Sequence, residues 1–233
     1  MKKVLLLKTG STHASIRQRH GDFEDWFLQE MTGCKVDLVN AVTASTLPDV
    51  AGFDGVVMTG SPAMVTDREP WSEQLAAWLA TQAHGQVPVL GVCYGHQLLA
   101  HALGGAVDWH PQGREIGTTA IHLTDAGNND PLLGTLPSRF LAQVTHAQRV
   151  SRLPDEAVLL AQNPFESHHA FRIGEATWGL QFHPEFSADV MRAYLDVAAD
   201  ALRKEKRDPE ALSAEVQQAH ADGMLLRRFV ELL

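Results

Sequence analysis

An α/β fold, a three-layer sandwich around a mostly parallel central sheet, is what this chain of 233 residues predicts. Three observations carry the prediction. Short continuous apolar runs at 4–7, 36–39, 55–58 and 87–92 read as strands buried on both faces. The segments between them repeat apolar residues at helical spacing. The runs end in glycine or short polar loops, so strand and helix alternate as in a parallel sheet.

Taken in order, 4–7 is the first strand. A helix over 22–32 follows, with Phe23, Trp26, Phe27 and Met31 on one face and Asp22 as N-cap. Residues 36–39 form the second strand and 55–58 the third, which ends at Thr59-Gly60-Ser61-Pro62. A helix over 71–83 turns Leu75, Trp78 and Leu79 inward. The fourth strand, 87–92, leads to a helix over 97–103 closed by Gly104-Gly105. From 106 to 161, β-branched residues, glycines and prolines are scattered through short segments, a small antiparallel excursion in or beside the main sheet. Two strands, 170–173 and 177–182, flank Gly174-Glu175. A long helix over 187–203 faces Val190, Tyr194, Val197, Ala198 and Leu202 inward, and Asp208-Pro209 opens a terminal helix or helix pair. The expected organisation is one domain over 1–205, with 206–233 as its C-terminal helical extension.

The stretch GVCYGHQ, residues 91–97, stands where the fourth strand becomes a helix. Its G-x-C-x-G spacing fits a strand-to-helix elbow that lifts Cys93 above the carboxyl edge of the sheet, where ligands bind in open α/β folds. The helix that follows aims its amino end at the sulfur and favours thiolate. Taken alone, the cysteine is equally a small buried residue at a crowded turn. A thiolate nucleophile needs a base, and the base an orienting group. In LQFHPEF, residues 180–186, His183 ends an apolar run and Glu185 lies two residues on, so both side chains point one way from extended backbone. Pro184 stiffens the segment, and Glu185 is placed to set the imidazole tautomer. By itself, H-x-E is also a common surface ion pair.

The blocks GVCYGHQLLAHALGG and GLQFHPEFS, with MTGSPAMV at 58–65 and THAQRV at 145–150, resemble the class I, triad-type glutamine amidotransferases, closest to the glutaminase domain of GMP synthases. The resemblance spans about residues 2–194 and implies a flavodoxin-like fold and hydrolysis of the γ-carboxamide of glutamine through a cysteine thioester. It implies Cys93 as nucleophile, His183 as proton relay and Glu185 as the group holding the histidine. The oxyanion hole would be backbone N–H groups of Tyr94 and of the Gly60–Ser61 loop. Gln97 matches a substrate contact, and His146 either lines the substrate cleft or finishes a loop.

Two positions depart from the pattern. Ser61 stands where glycine usually precedes the proline, which would strain it if that position needs positive φ. Gln148 replaces an aspartate on the face towards a synthetase. No phosphate-cradling glycine loop is found, so any ammonia acceptor is expected on a separate synthetase subunit. The alternative is a free-standing γ-glutamyl hydrolase or peptidase with the same triad.

Composition bounds the remaining classes. A net charge of -9 argues against a nucleic-acid partner, and the basic run 203–207 reads as a solvated helix end. Two cysteines, Cys34 and Cys93, point to a reducing cytoplasm. MKKVLLLKTG is too short for a signal h-region, and no run approaches the roughly 18 apolar residues of a membrane span. Twelve histidines invite a metal reading, but His96 and His101 do not share a helix face, and the adjacent His168 and His169 diverge on a strand. Arg17 and Arg19 with His13 read as a solvated first loop, and the five tryptophans as core or interface residues. Neither metal nor other cofactor is expected, and the oligomeric state is open.

Overall fold

The structure, a computed structural model, describes residues 1–82 and 87–233. The chain opens with β1 (Lys2–Lys8), two helices α1 (Ala14–His20) and α2 (Phe23–Glu30), then β2 (Cys34–Asn40) and β3 (Gly55–Met58). Helix α3 (Pro70–Gln82), β4 (Val89–Val92) and α4 (Tyr94–Ala102) follow. The middle holds β5 (Ala106–Trp109), β6 (Glu115–Leu123), α5 (Asp125–Asn128), β7 (Arg139–His146), β8 (Gln148–Arg152) and β9 (Val158–Gln162). The hairpin β10 (Ala170–Ile173) and β11 (Thr177–Leu180) precedes α6 (Ala188–Lys204), α7 (Pro209–Glu215) and α8 (Met224–Leu232).

Among the described residues, nine strands form one sheet in the order β2-β1-β3-β4-β11-β10-β9-β6-β7. The five from β2 to β11 run parallel, and the remaining four continue antiparallel. The expected excursion is therefore partly a wing of the main sheet and partly a separate ribbon of β5 with β8. The core follows from strand alternation. In β1, Val4 and Leu6 pack with Val57, Phe27, Leu225 and Phe229 on one face. Leu5 and Leu7 pack with Val56, Met58, Leu75, Leu79 and Leu99 on the other. Each such buried side chain contributes about 1.5–3 kcal/mol relative to exposure.

Several boundaries differ from the expectation. Helix α4 starts at Tyr94, three residues before the expected start, directly after the cysteine. The helix expected over 71–83 begins at Pro70, a favoured first position, and its expected end at Ala83 lies outside the described residues. Helix α1 has Ile16 as its one buried residue, so no apolar stripe announces it. Arg17 and Arg19 thus sit on a helix, not in a loop. His168 and His169 lie in the turn before β10, not on a strand. Trp26 and Trp178 are core residues, whereas Trp109 is 59% exposed. The C-terminal residues Ala221, Leu225, Leu226, Phe229 and Val230 are buried in the same cluster as β1.

Candidate active site

The carboxyl ends of β1, β3, β4 and β11 meet at one edge of the sheet, and the cleft lies there. At the end of β4, Cys93 adopts φ 51° and ψ −98°. A non-glycine residue in such a region carries about 1–3 kcal/mol of strain, held by its surroundings. The flanking glycines explain how. A Cβ on Gly91 would lie 2.5 Å from the carbonyl oxygen of Gly95, and one on Gly95 would lie 2.9 Å from Cβ of Met58. Strand and helix can approach this closely only without those side chains. The Cys93 N–H donates to Leu180 O at 2.7 Å, which ties the elbow to β11. The residue is 7% exposed and lines a cavity of about 370 Å³.

His183 follows β11. Its N–H donates to the carbonyl of Gln143 at 2.9 Å, and its ring stacks on Phe186 with centroids 4.0 Å apart. Nδ1 donates to Oε1 of Glu185 at 2.8 Å, and this ion pair is almost wholly buried. Nε2 is buried and makes no regular hydrogen bond, so it is the nitrogen left for Cys93. Burial works against protonation of His183, but the negative charge of Glu185 and then of Cys93 outweighs it and raises the imidazole to about 10. The structure therefore brings Cys93, His183 and Glu185 together.

Gly60 packs directly on this group. A Cβ there would lie 3.1 Å from Cε1 of His183 and 3.7 Å from Cβ of Cys93. The hydroxyl of Thr9 donates to the carbonyl of Gly60 at 3.0 Å. In a trans peptide the N–H points opposite to the carbonyl, so the Ser61 N–H is directed away from Thr9. Ser61 does not occupy positive φ, so the feared strain is absent; its Oγ accepts from the N–H of Ala63 at 3.1 Å. Tyr94 is the first residue of α4, and its N–H has no partner inside the helix. Its phenol is buried against Ser72 at 2.6 Å, and burial pushes it up to about 12.

Gln97 lines the cavity, with its amide nitrogen donating to Gln148 O and to Oε1 of Gln181, both at 2.9 Å. His146 also lines the cavity, but both ring nitrogens are engaged: Nδ1 with the carbonyl of Gln148 at 3.0 Å and Nε2 with Glu115 at 2.9 Å. It faces the cleft as part of the wall, with no nitrogen free for a ligand. Burial alone would raise the Glu115 carboxyl, yet His146 and His169, at 2.9 and 3.3 Å, hold it far below the usual range. Gln148 donates to the hydroxyl of Thr66 at 2.5 Å and joins β8 to the loop beside the cleft.

Thr9, Phe186, Tyr194 and the Glu115–His146–His169 cluster were not assigned to the site from the sequence. Phe186 lies inside the LQFHPEF block, and Tyr194 lies on the inward face of the long helix, so both carried a signal. Thr9 and Glu115 carried none, because their contacts are made across about fifty and thirty residues of chain. His96 is fully buried against Phe171, and burial keeps it far below its ordinary value. Among the described residues, no group of three or more His, Cys, Asp or Glu is arranged to hold a metal, and no helix is long and apolar enough to cross a membrane.

Comparison with known proteins gives a family. The sequence profile of glutamine amidotransferase class-I matches residues 27–197. A glutamine-hydrolysing GMP synthase of Porphyromonas gingivalis is 33% identical over 187 residues, 79% of this chain and 33% of that protein. The chain thus spans about a third of that relative's length. Gamma-glutamyl peptidase 3 of Arabidopsis thaliana is 26% identical over 185 residues, 77% of this chain and 74% of the peptidase. A glutamine amidotransferase structure from Thermotoga maritima shares the fold with a TM-score of 0.76, at 23% identity, over 99% of this chain and 97% of that one. With the profile matching most of its length, including the elbow and the H-P-E segment, the chain belongs to the class I glutamine amidotransferase family.

Proposed function

We propose that this protein hydrolyses the γ-carboxamide of glutamine to glutamate and ammonia. The observation that carries the proposal is the His183 imidazole, bonded to Glu185 through Nδ1 and left open at Nε2 beside a cysteine on a strained elbow. The Cys93 thiolate attacks the carboxamide carbon, with the protonated imidazole as its counter-charge. The tetrahedral oxyanion takes hydrogen bonds from the N–H groups of Tyr94 and Ser61, and losing one such donor costs on the order of 10²–10³ in rate. His183 passes its proton to the departing nitrogen, the C–N bond breaks, and a γ-glutamyl thioester remains. Water then attacks while His183 takes its proton; the C–S bond breaks, glutamate leaves, and the thiolate–imidazolium pair is restored. Gln97 contributes to the substrate wall, and His146 supports it from behind. A separate synthetase-type chain is the proposed acceptor of the ammonia, supported by the matched GMP synthase being about three times as long as the part this chain covers.

A second reading is favoured by the shape of the cleft. Tyr194, Val197, Ala198 and Ala201 recur at the spacing of one helix face and line the cavity together with Trp109. This apolar wall continues beyond the triad and suits a γ-glutamyl amide or peptide with a larger amine. Comparing kcat/KM for glutamine and for γ-glutamyl dipeptides separates the readings. Equimolar glutamate and ammonia from glutamine, lost in Cys93→Ala, supports the first. Turnover of dipeptides alone supports the second, and no turnover of either overturns both.

A further inference from the structure

Behind the catalytic segment lies a second cavity of about 330 Å³, which neither Cys93 nor His183 reaches. Its charged and titratable walls are His20 from α1, Glu30 from α2, Glu185, Asp189 from α6, Asp222 and Arg227 from α8. Arg227 is paired with Glu30. Oε2 of Glu185, the oxygen not used by His183, is buried without a partner, and so is Oδ1 of Asp222. The other oxygen of Asp222 accepts from the N–H of Ala219 at 3.1 Å and from the amide of Gln218 at 2.6 Å.

The segment that carries Asp222 is stitched to the catalytic strand at three points. The N–H of Gly223 donates to the carbonyl of Pro184, between His183 and Glu185, at 2.6 Å. Gln143, whose carbonyl accepts from the His183 N–H, donates its side-chain amide to Gln217 O at 3.0 Å. His220 and Leu141 exchange two bonds, N–H to carbonyl at 3.0 Å and N–H to Nδ1 at 3.1 Å. A displacement of residues 217–223 is therefore transmitted to the backbone on both sides of Pro184.

We propose that Asp222 is a positioning residue for the reaction: in its neutral form, against the back of Glu185, it keeps that carboxylate turned on His183. Two carboxylates on one buried cavity repel each other, and the cheaper state keeps one of them protonated. Glu185 is committed as the acceptor from His183, so the proton falls to Asp222, on the oxygen that the Ala219 and Gln218 bonds leave free. Burial, then the charges of Glu30 and Glu185, raises the Asp222 carboxyl to about 7. On ionisation the new charge pushes on Glu185 and loosens its hold on the imidazole.

The inference rests on the triad reading above, and the test separates the two. Full-length wild type, Asp222→Asn and Asp222→Ala are compared for kcat and KM with glutamine across the neutral pH range, for the rate of iodoacetamide modification at the Cys93 peptide, and for Tm. The wild type is expected to lose kcat as pH rises through about 7, with a step at the same pH in the modification rate, and Asp222→Asn to lack both steps. Asp222→Ala is expected to lower kcat on the order of tenfold with KM within about twofold. Superimposable pH profiles for wild type and Asp222→Asn overturn the proposal, as does a change in Tm with both profiles unaltered. If glutamine is not turned over by any form while the modification profiles differ as described, the positioning role stands and the glutaminase reading fails.

Discussion

Nδ1 of His183 donates to Oε1 of Glu185 at 2.8 Å, and both side chains are almost completely removed from water. This bond fixes the imidazole tautomer and makes Nε2 the working nitrogen. Glu185→Gln keeps the shape but removes the charge and allows the amide to favour the wrong tautomer. Its kcat is expected to fall on the order of 10³–10⁴, with KM changed little, in steady-state assays of glutamine hydrolysis.

The Gly60–Ser61 peptide is held by the hydroxyl of Thr9. Thr9→Val keeps the branched shape and removes the donor, so the peptide loses its fixed orientation. The expected loss in kcat is on the order of tenfold, less than deletion of an oxyanion donor, with stability lowered by about 1–2 kcal/mol for the broken buried bond. Unchanged kcat would remove Ser61 from the oxyanion hole.

The elbow demands glycine at position 91, where a Cβ would lie 2.5 Å from the Gly95 carbonyl. Gly91→Ala must separate β4 from α4. It is expected to cost about 1–3 kcal/mol in urea unfolding and to lower Cys93 reactivity. An unaltered unfolding midpoint would contradict the packing described.

Asp22 caps α2, accepts from the N–H of Thr12 at 2.8 Å and pairs with Lys8 at 2.9 Å. Burial opposes its charge, but the Lys8 contact and the backbone donors lower its carboxyl below 3.8. A depressed acid stabilises the fold above its unfolded value and loses that contribution as pH falls through the folded one. Asp22→Asn is therefore expected to cost about 1–3 kcal/mol at neutral pH, with the difference from wild type shrinking below about pH 4. Chemical denaturation at a series of pH values measures it.

Much of the site was legible because its chemistry is local. The cysteine between glycines and the H-P-E segment each carry their geometry in a few consecutive residues, and the sheet brings the two together by pairing β4 with β11. The parallel half of the sheet was legible for the same reason, since strands buried on both faces are continuous apolar runs. What escaped depends on distant partners. His146 looks like a ligand-facing histidine in sequence, but Glu115 and the Gln148 carbonyl occupy both its nitrogens. Ser61 looked strained against a glycine pattern, yet its backbone needs no left-handed φ. Helix α1 is polar on nearly every side and gave no periodic signal. The scattered pattern of 106–161 indicated antiparallel pairing but not that β6 and β7 would extend the main sheet through β9.

The central claim is that Cys93 forms a covalent bond to a γ-glutamyl group. Treatment with a glutamine-analogue chloroketone, followed by peptide mass spectrometry, tests it most directly. A single adduct on the Cys93 peptide, suppressed by excess glutamine and absent in His183→Ala, is the predicted result. An adduct on Cys34 instead, or modification of Cys93 at the same rate with and without His183, would contradict it.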